Sequence, residues 1–108
     1  MTITELINYF RNNGNKDEFF ENNSLDPESE VIEIYMQEPL GIENEIKLFE
    51  IERTGGNLTY IHANIEYQNI IDFYYFTDFI EESKIGKNKD LTDEKLAEIF
   101  LNYCINDA

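Results

Sequence analysis

With 108 residues the chain has room for one hydrophobic core, and its 42% hydrophobic and 14% aromatic content separates it from acidic tails that stay disordered. Its 23 Asp and Glu against 8 Lys and Arg leave a formal net charge of −15, a field that repels phosphate backbones and anionic lipid headgroups and attracts basic surfaces. Nucleic acid and membrane are thereby disfavoured as direct partners, and a basic protein is favoured.

The first element expected is a helix from Thr2. Thr2 and Glu5 have capping-box spacing, Ile3, Leu6, Ile7 and Phe10 recur at i, i+3, i+4 and i+7, and Gly14 stands where a left-handed C-terminal residue is expected. The start "MTITELINYF" has no basic leader, Glu5 interrupts its apolar residues, and no hydrophobic run approaches the roughly 20 residues that span a bilayer. A cytoplasmic protein is expected. The polar, acidic stretch that follows reads as a loop through Glu30, with room for a short helical turn around Phe19 and Phe20.

Strands come next. "VIEIYMQ", Val31 to Gln37, alternates Ile32, Ile34 and Met36 on one face with Val31, Glu33 and Tyr35 on the other. "IKLFEIER", Ile46 to Arg53, is read with Phe49 and Ile51 inward and Glu50 and Glu52 outward. "TGGN", Thr54 to Asn57, is expected to make a hairpin connection, since adjacent glycines supply positive φ angles. "LTYIHANI", Leu58 to Ile65, returns with Ile61, Ala63 and Ile65 opposite Leu58, Tyr60, His62 and Asn64.

"DFYYFTDFIEES", Asp72 to Ser83, interleaves five aromatic rings with four carboxylates. Its apolar residues scatter around a helical wheel, whereas period two puts Ile71, Phe73 and Tyr75 on one face and Asp72 and Tyr74 on the other, so a fourth strand across Tyr67 to Phe76 is favoured. Thr77 is then the candidate cap of a short helix through Ser83, before the polar turn "KIGKNKD". A last helix follows, capped by Thr92, with Leu91 and Leu96 at staple spacing and an apolar stripe of Leu96, Ile99, Phe100, Tyr103 and Cys104. The expected fold is α+β, a single domain over 1–108: a four-stranded, mainly antiparallel sheet with N- and C-terminal helices packed on one face.

Catalytic and cofactor chemistry finds little support. His62 is a lone histidine with no paired nucleophile, Ser24, Ser29 and Ser83 lack the flanking glycines of a nucleophile elbow, and Cys104 falls on an apolar helix stripe. A single cysteine cannot form an internal disulfide, and with one histidine it cannot make a zinc site. The calcium-like spacing of Asn13, Asn15 and Asp17 has Glu18 where the loop glycine belongs and Ser24 where the bidentate acid belongs. Gly86 and Lys87 lack the upstream glycine of a phosphate loop, Glu81 standing in its place. No enzyme, cofactor or metal is expected.

What stands out is acidity interleaved with aromatics on one predicted sheet face: Glu33, Tyr35, Glu50, Glu52, Tyr60, His62, Asp72 and Tyr74. In size, charge and aromatic content over its whole length the chain resembles the small acidic immunity proteins of contact-dependent growth inhibition and related bacterial polymorphic toxin systems. That resemblance implies a monomer that binds its cognate basic toxin one to one and blocks the active site, with a nuclease, RNA-cleaving before DNA-cleaving, as the expected partner. Carboxylates would stand in for phosphates and tyrosines would supply contact area. The acidic segment Asp17 to Glu30 is the alternative contact. An acidic DNA mimic, a regulatory adaptor and a small enzyme using His62 are the competing classes.

Overall fold

The computed structural model describes residues 1–107 and has the α+β architecture expected, a curled four-stranded antiparallel sheet covered on one face by helices. Helix α1 spans Ile3–Arg11 and is entered through a complete capping box, Thr2 and Glu5 each satisfying a backbone N–H of the other. Its buried stripe is Ile3, Leu6, Ile7 and Phe10. The left-handed residue after it is Asn13, at φ 64°, and not Gly14. Helix α2, Lys16–Asn22, is the expected turn around Phe19 and Phe20, and Asn15 caps it by accepting from the Glu18 N–H.

Strands β1 (Ile32–Gln37), β2 (Ile46–Glu50), β3 (Thr59–His62) and β4 (Ile65–Asp72) are arranged in the order β2-β1-β4-β3. Ile32, Ile34 and Met36 of β1 join Ile46 and Ile70 in the main core under the helices, as the alternation of β1 predicts. One extra residue enters β4: Ile34 pairs with Ile71 and Tyr35 with Asn69, so Ile70 is bulged and both Ile70 and Ile71 reach the helical layer.

Four expectations about these strands are corrected. Phe49 lies on the face away from the helices, while Ile46 and Leu48 face them, because this sheet buries both faces and alternation alone cannot say which is which. After Glu50 the chain turns into a short helix, α3 (Ile51–Thr54), so Ile51 and Glu52 are not strand residues. Gly55 and Gly56 do take positive φ angles, 67° and 73°, yet the "TGGN" segment is no hairpin: β2 and β3 are the two edges of the sheet, and the chain crosses between them. The tight hairpin lies at Ala63 and Asn64, φ 51° and 66°, which splits the expected strand Leu58–Ile65 and joins β3 to β4. Ile61 stays 66% exposed because the helical layer does not cover that edge.

The fourth strand ends at Asp72. Its carboxylate accepts from the N–H groups of Tyr74 and Tyr75 and so starts α4 at Phe73, running to Ser83. The expected strand over Phe73 to Phe76 is therefore the first turn of a helix, and Thr77 lies inside it, bonded to the Tyr74 carbonyl. Phe73, Phe76, Ile80 and Ser83 form the buried stripe of α4, a helical period that Tyr74 and Tyr75 obscure in the sequence. A 3₁₀ turn at Gly86–Asn88 leads to α5, Asp93–Asp107, with Thr92 accepting from the Lys95 N–H as expected. The buried residues of α5 are Leu96, Ala97, Phe100, Leu101 and Cys104, while Ile99 and Tyr103 fall outside the stripe at 37% and 50% exposure.

Candidate protein-binding surface

The predicted aromatic face exists only in part. Glu33, Tyr35, Tyr60 and His62 do share the concave side of the sheet, but curling turns that side into a second small core of Tyr35, Phe49 and Tyr67 with Tyr60 packed against it. Tyr35 is completely buried, its hydroxyl donating to the Asn57 carbonyl at 2.6 Å, so it has no area left for a partner. Asn69 donates to Glu33 at 2.8 Å, which ties that carboxylate into the same core.

The other predicted residues lie elsewhere. Glu50 accepts from the Asp26 N–H, and Glu52 accepts from the Ser29 hydroxyl and the Glu30 N–H, so this pair latches the loop ahead of β1. The Ser29 hydrogen bond, followed by that of Glu30, holds the Glu52 carboxyl below its ordinary range. Asp72 caps α4. Tyr74 is half exposed on that helix with the Lys16 ammonium 4.9 Å from its ring centre.

Acid and aromatic surface meet instead between α4 and α5. The α4 residues Tyr75, Asp78, Phe79 and Glu82 follow at i, i+3, i+4 and i+7, one ridge beside the buried stripe, and on α5 Ile99 and Tyr103 stand one turn apart. Between these ridges lies a groove of about 380 Å³. Ile71, Phe79 and Phe100 form its apolar base, the Phe79 and Phe100 rings 4.9 Å apart. Tyr75, 64% exposed, and Tyr103 rise beside it, and Asp78 and Glu82 line its rim.

Neither Asp78 nor Glu82 is in an ion pair among the described residues. The groove thus offers apolar contact area beside uncommitted negative charge. Sequence reasoning missed it by assigning Tyr75 to a strand and Ile99 and Tyr103 to the core. The signal that could have found it was Asp72 as an N-cap, which puts Tyr75 and Glu82 on one helical ridge.

His62 Nδ1 lies 3.5 Å from an Arg53 guanidinium nitrogen, on the opposite face of the sheet from this groove. Burial pushes the Cys104 thiol up to about 12, so at neutral pH it is a packed, protonated side chain. Among the described residues no helix is long and apolar enough to cross a membrane. The chain matches no known protein family, no curated protein and no solved structure.

Proposed function

We propose that this chain is an immunity-type inhibitor that binds a basic protein toxin in the cytoplasm, one to one, and neutralises it by covering its active site. The observation that carries this reading is the α4–α5 groove: aromatic and aliphatic area rimmed by Asp78 and Glu82, which are in no ion pair among the described residues, on a chain of net charge −15. Such a surface suits a partner segment with an apolar anchor and flanking Lys or Arg. A nuclease must present cations to phosphates, which makes a nuclease toxin, RNA-cleaving before DNA-cleaving, the best-matched partner class. Inhibition by occupancy requires no chemistry from the chain itself.

The test is growth protection on co-expression with a cognate toxin, together with binding to it. Tyr75→Ala and Tyr103→Ala should each weaken binding by about 2 kcal/mol, roughly 30-fold in Kd, as truncation at an interface centre does. Asp78→Asn and Glu82→Gln should mainly slow association and flatten its salt dependence. Glu28→Gln, in the loop before β1, serves as the charge control. Groove variants that bind and protect like the unaltered chain, with Glu28→Gln impaired, would move the contact to the 17–30 segment.

A further inference from the structure

Positive charge is scarce in this chain, and part of it is ion-paired. Of its 8 Lys and Arg, Arg11, Lys84 and Lys95 are ion-paired with Asp93, Glu81 and Glu98, and Lys16 lies over the Phe20 and Tyr74 rings. Among those without a carboxylate partner in the described residues, Lys47 and Arg53 line one cavity of about 230 Å³ together with Phe49 and His62. Lys47 comes from β2 and His62 from β3, so the cavity occupies the gap that curling leaves between the two edge strands. Glu45 is the single carboxylate in its lining, and the Met1 ammonium neutralises it at 2.5 Å.

Two of the donors in this gap, Arg53 and His62, pack on Phe49, while the Lys47 side chain is exposed. Phe49 is a platform on which the Arg53 guanidinium sits 5.4 Å from the ring centre and His62 packs at 5.2 Å. His62 Nδ1 stands 3.5 Å from an Arg53 guanidinium nitrogen, and an imidazole ring carries at least one N–H that can donate to an anion. Backbone adds a further donor. The Ile46 N–H turns away from β1 to bond the Met1 carbonyl at 2.8 Å, and the alternation of antiparallel pairing sends the Leu48 N–H to the same outer side, where Leu48 lines the cavity.

We propose that this gap is an oxyanion site that takes a phosphate group, free or as a phosphomonoester, between Lys47 and Arg53, with the Leu48 and His62 N–H groups completing its shell. Two full cations match a dianion better than a carboxylate, and charged donors bonding an oxyanion make the stronger class of hydrogen bond. The chain's acidic excess does not prevent this, since charges beyond a Debye length of about 8 Å at physiological ionic strength are largely screened, whereas Lys47 and Arg53 adjoin the ligand. The site lies at the β2 edge of the sheet and shares no lining residue with the α4–α5 groove, and its occupancy is independent of the proposed toxin.

The experiment is a titration of the intact chain with inorganic phosphate, followed by backbone amide NMR, against sodium chloride at matched ionic strength. Saturable shifts confined to Leu48, Phe49, Arg53 and His62 are expected. Lys47→Gln and Arg53→Gln should each weaken the apparent Kd by about tenfold, the scale of one lost charge-assisted contact, while Lys87→Gln, an equal charge change on the 3₁₀ turn, should leave it unchanged. Phenyl phosphate distinguishes the two sources: tighter binding than phosphate assigns an ester, weaker binding a free anion, and either supports the site. Absence of saturation, equal loss in Lys87→Gln, or acetate binding as well as phosphate would overturn it.

Discussion

Gly14 follows the left-handed Asn13 and has an ordinary backbone conformation, so its identity is set by space. A Cβ there would stand 2.6 Å from the Tyr9 carbonyl oxygen and collide with the Tyr9 ring, whose own hydroxyl is bonded to the Asn15 carbonyl. The ring could swing away only by giving up that bond, and the carbonyl belongs to α1. Gly41 is the contrast: a Cβ added to it would have no atom within 4 Å, and its φ is not positive. Gly14→Ala should therefore cost about 1–3 kcal/mol, as overpacking does, while Gly41→Ala should be neutral or stabilise by up to about 1 kcal/mol through the unfolded chain. Urea denaturation of the two variants measures the difference, and equal midpoints would remove the steric argument.

Among the elements, the β4–α4 junction decides what "DFYYF" becomes. Asp72 ends the strand and caps the helix, and every aromatic after it takes its place from that one event: Phe73 and Phe76 go to the core, Tyr75 to the groove. Asp72→Ala should cost about 0.5–2 kcal/mol, the ordinary range for a lost cap, and Asp72→Asn should recover most of it because an amide oxygen can still accept. Thr77→Ala should cost less than Asp72→Ala, since Thr77 lies inside the helix and alanine is the better helix former. Denaturation of all three variants checks this, and a larger loss at Thr77 than at Asp72 would place the helix start several residues later. The same junction makes the candidate surface a helix-pair groove rather than a sheet face.

For the protein taken entire, charge opposes folding. Its extents are 39 × 30 × 21 Å. At about 0.01 M salt the Debye length of about 30 Å lets carboxylates on opposite sides repel one another. Raising salt to about 0.15 M shortens that length to about 8 Å, so the free protein should gain stability and its Tm should rise by a few degrees. Calorimetry at the two salt concentrations reads this directly. Association with a basic partner should slow over the same interval, because the screening that relieves self-repulsion also weakens steering. A Tm that stays flat or falls would mean that the paired and hydrogen-bonded carboxylates, such as Asp93 with Arg11 and Glu52 with Ser29, outweigh the unpaired ones.

Legible in the chain alone were the features whose signals lie within a few residues: the α+β class, the capping box of α1, the Thr92 cap of α5, and the two faces of β1. Each depends on local hydrogen bonds or on a clear period and survives any arrangement of the rest. Where β2 and β3 lie, which face Phe49 enters, and that Ile99 and Tyr103 flank a groove were settled by tertiary packing, because these depend on which surfaces curl together. Phe49 and Ile46 are both buried, in different cores on opposite faces of one sheet, and no alternation pattern can rank two burial sites against each other. The acidic aromatic face expected from Glu33, Tyr35, Glu50, Glu52, Tyr60, His62, Asp72 and Tyr74 was dispersed for the same reason: the sheet closed over its own tyrosines, and the helices that cover its other side brought acid and aromatic surface together between α4 and α5.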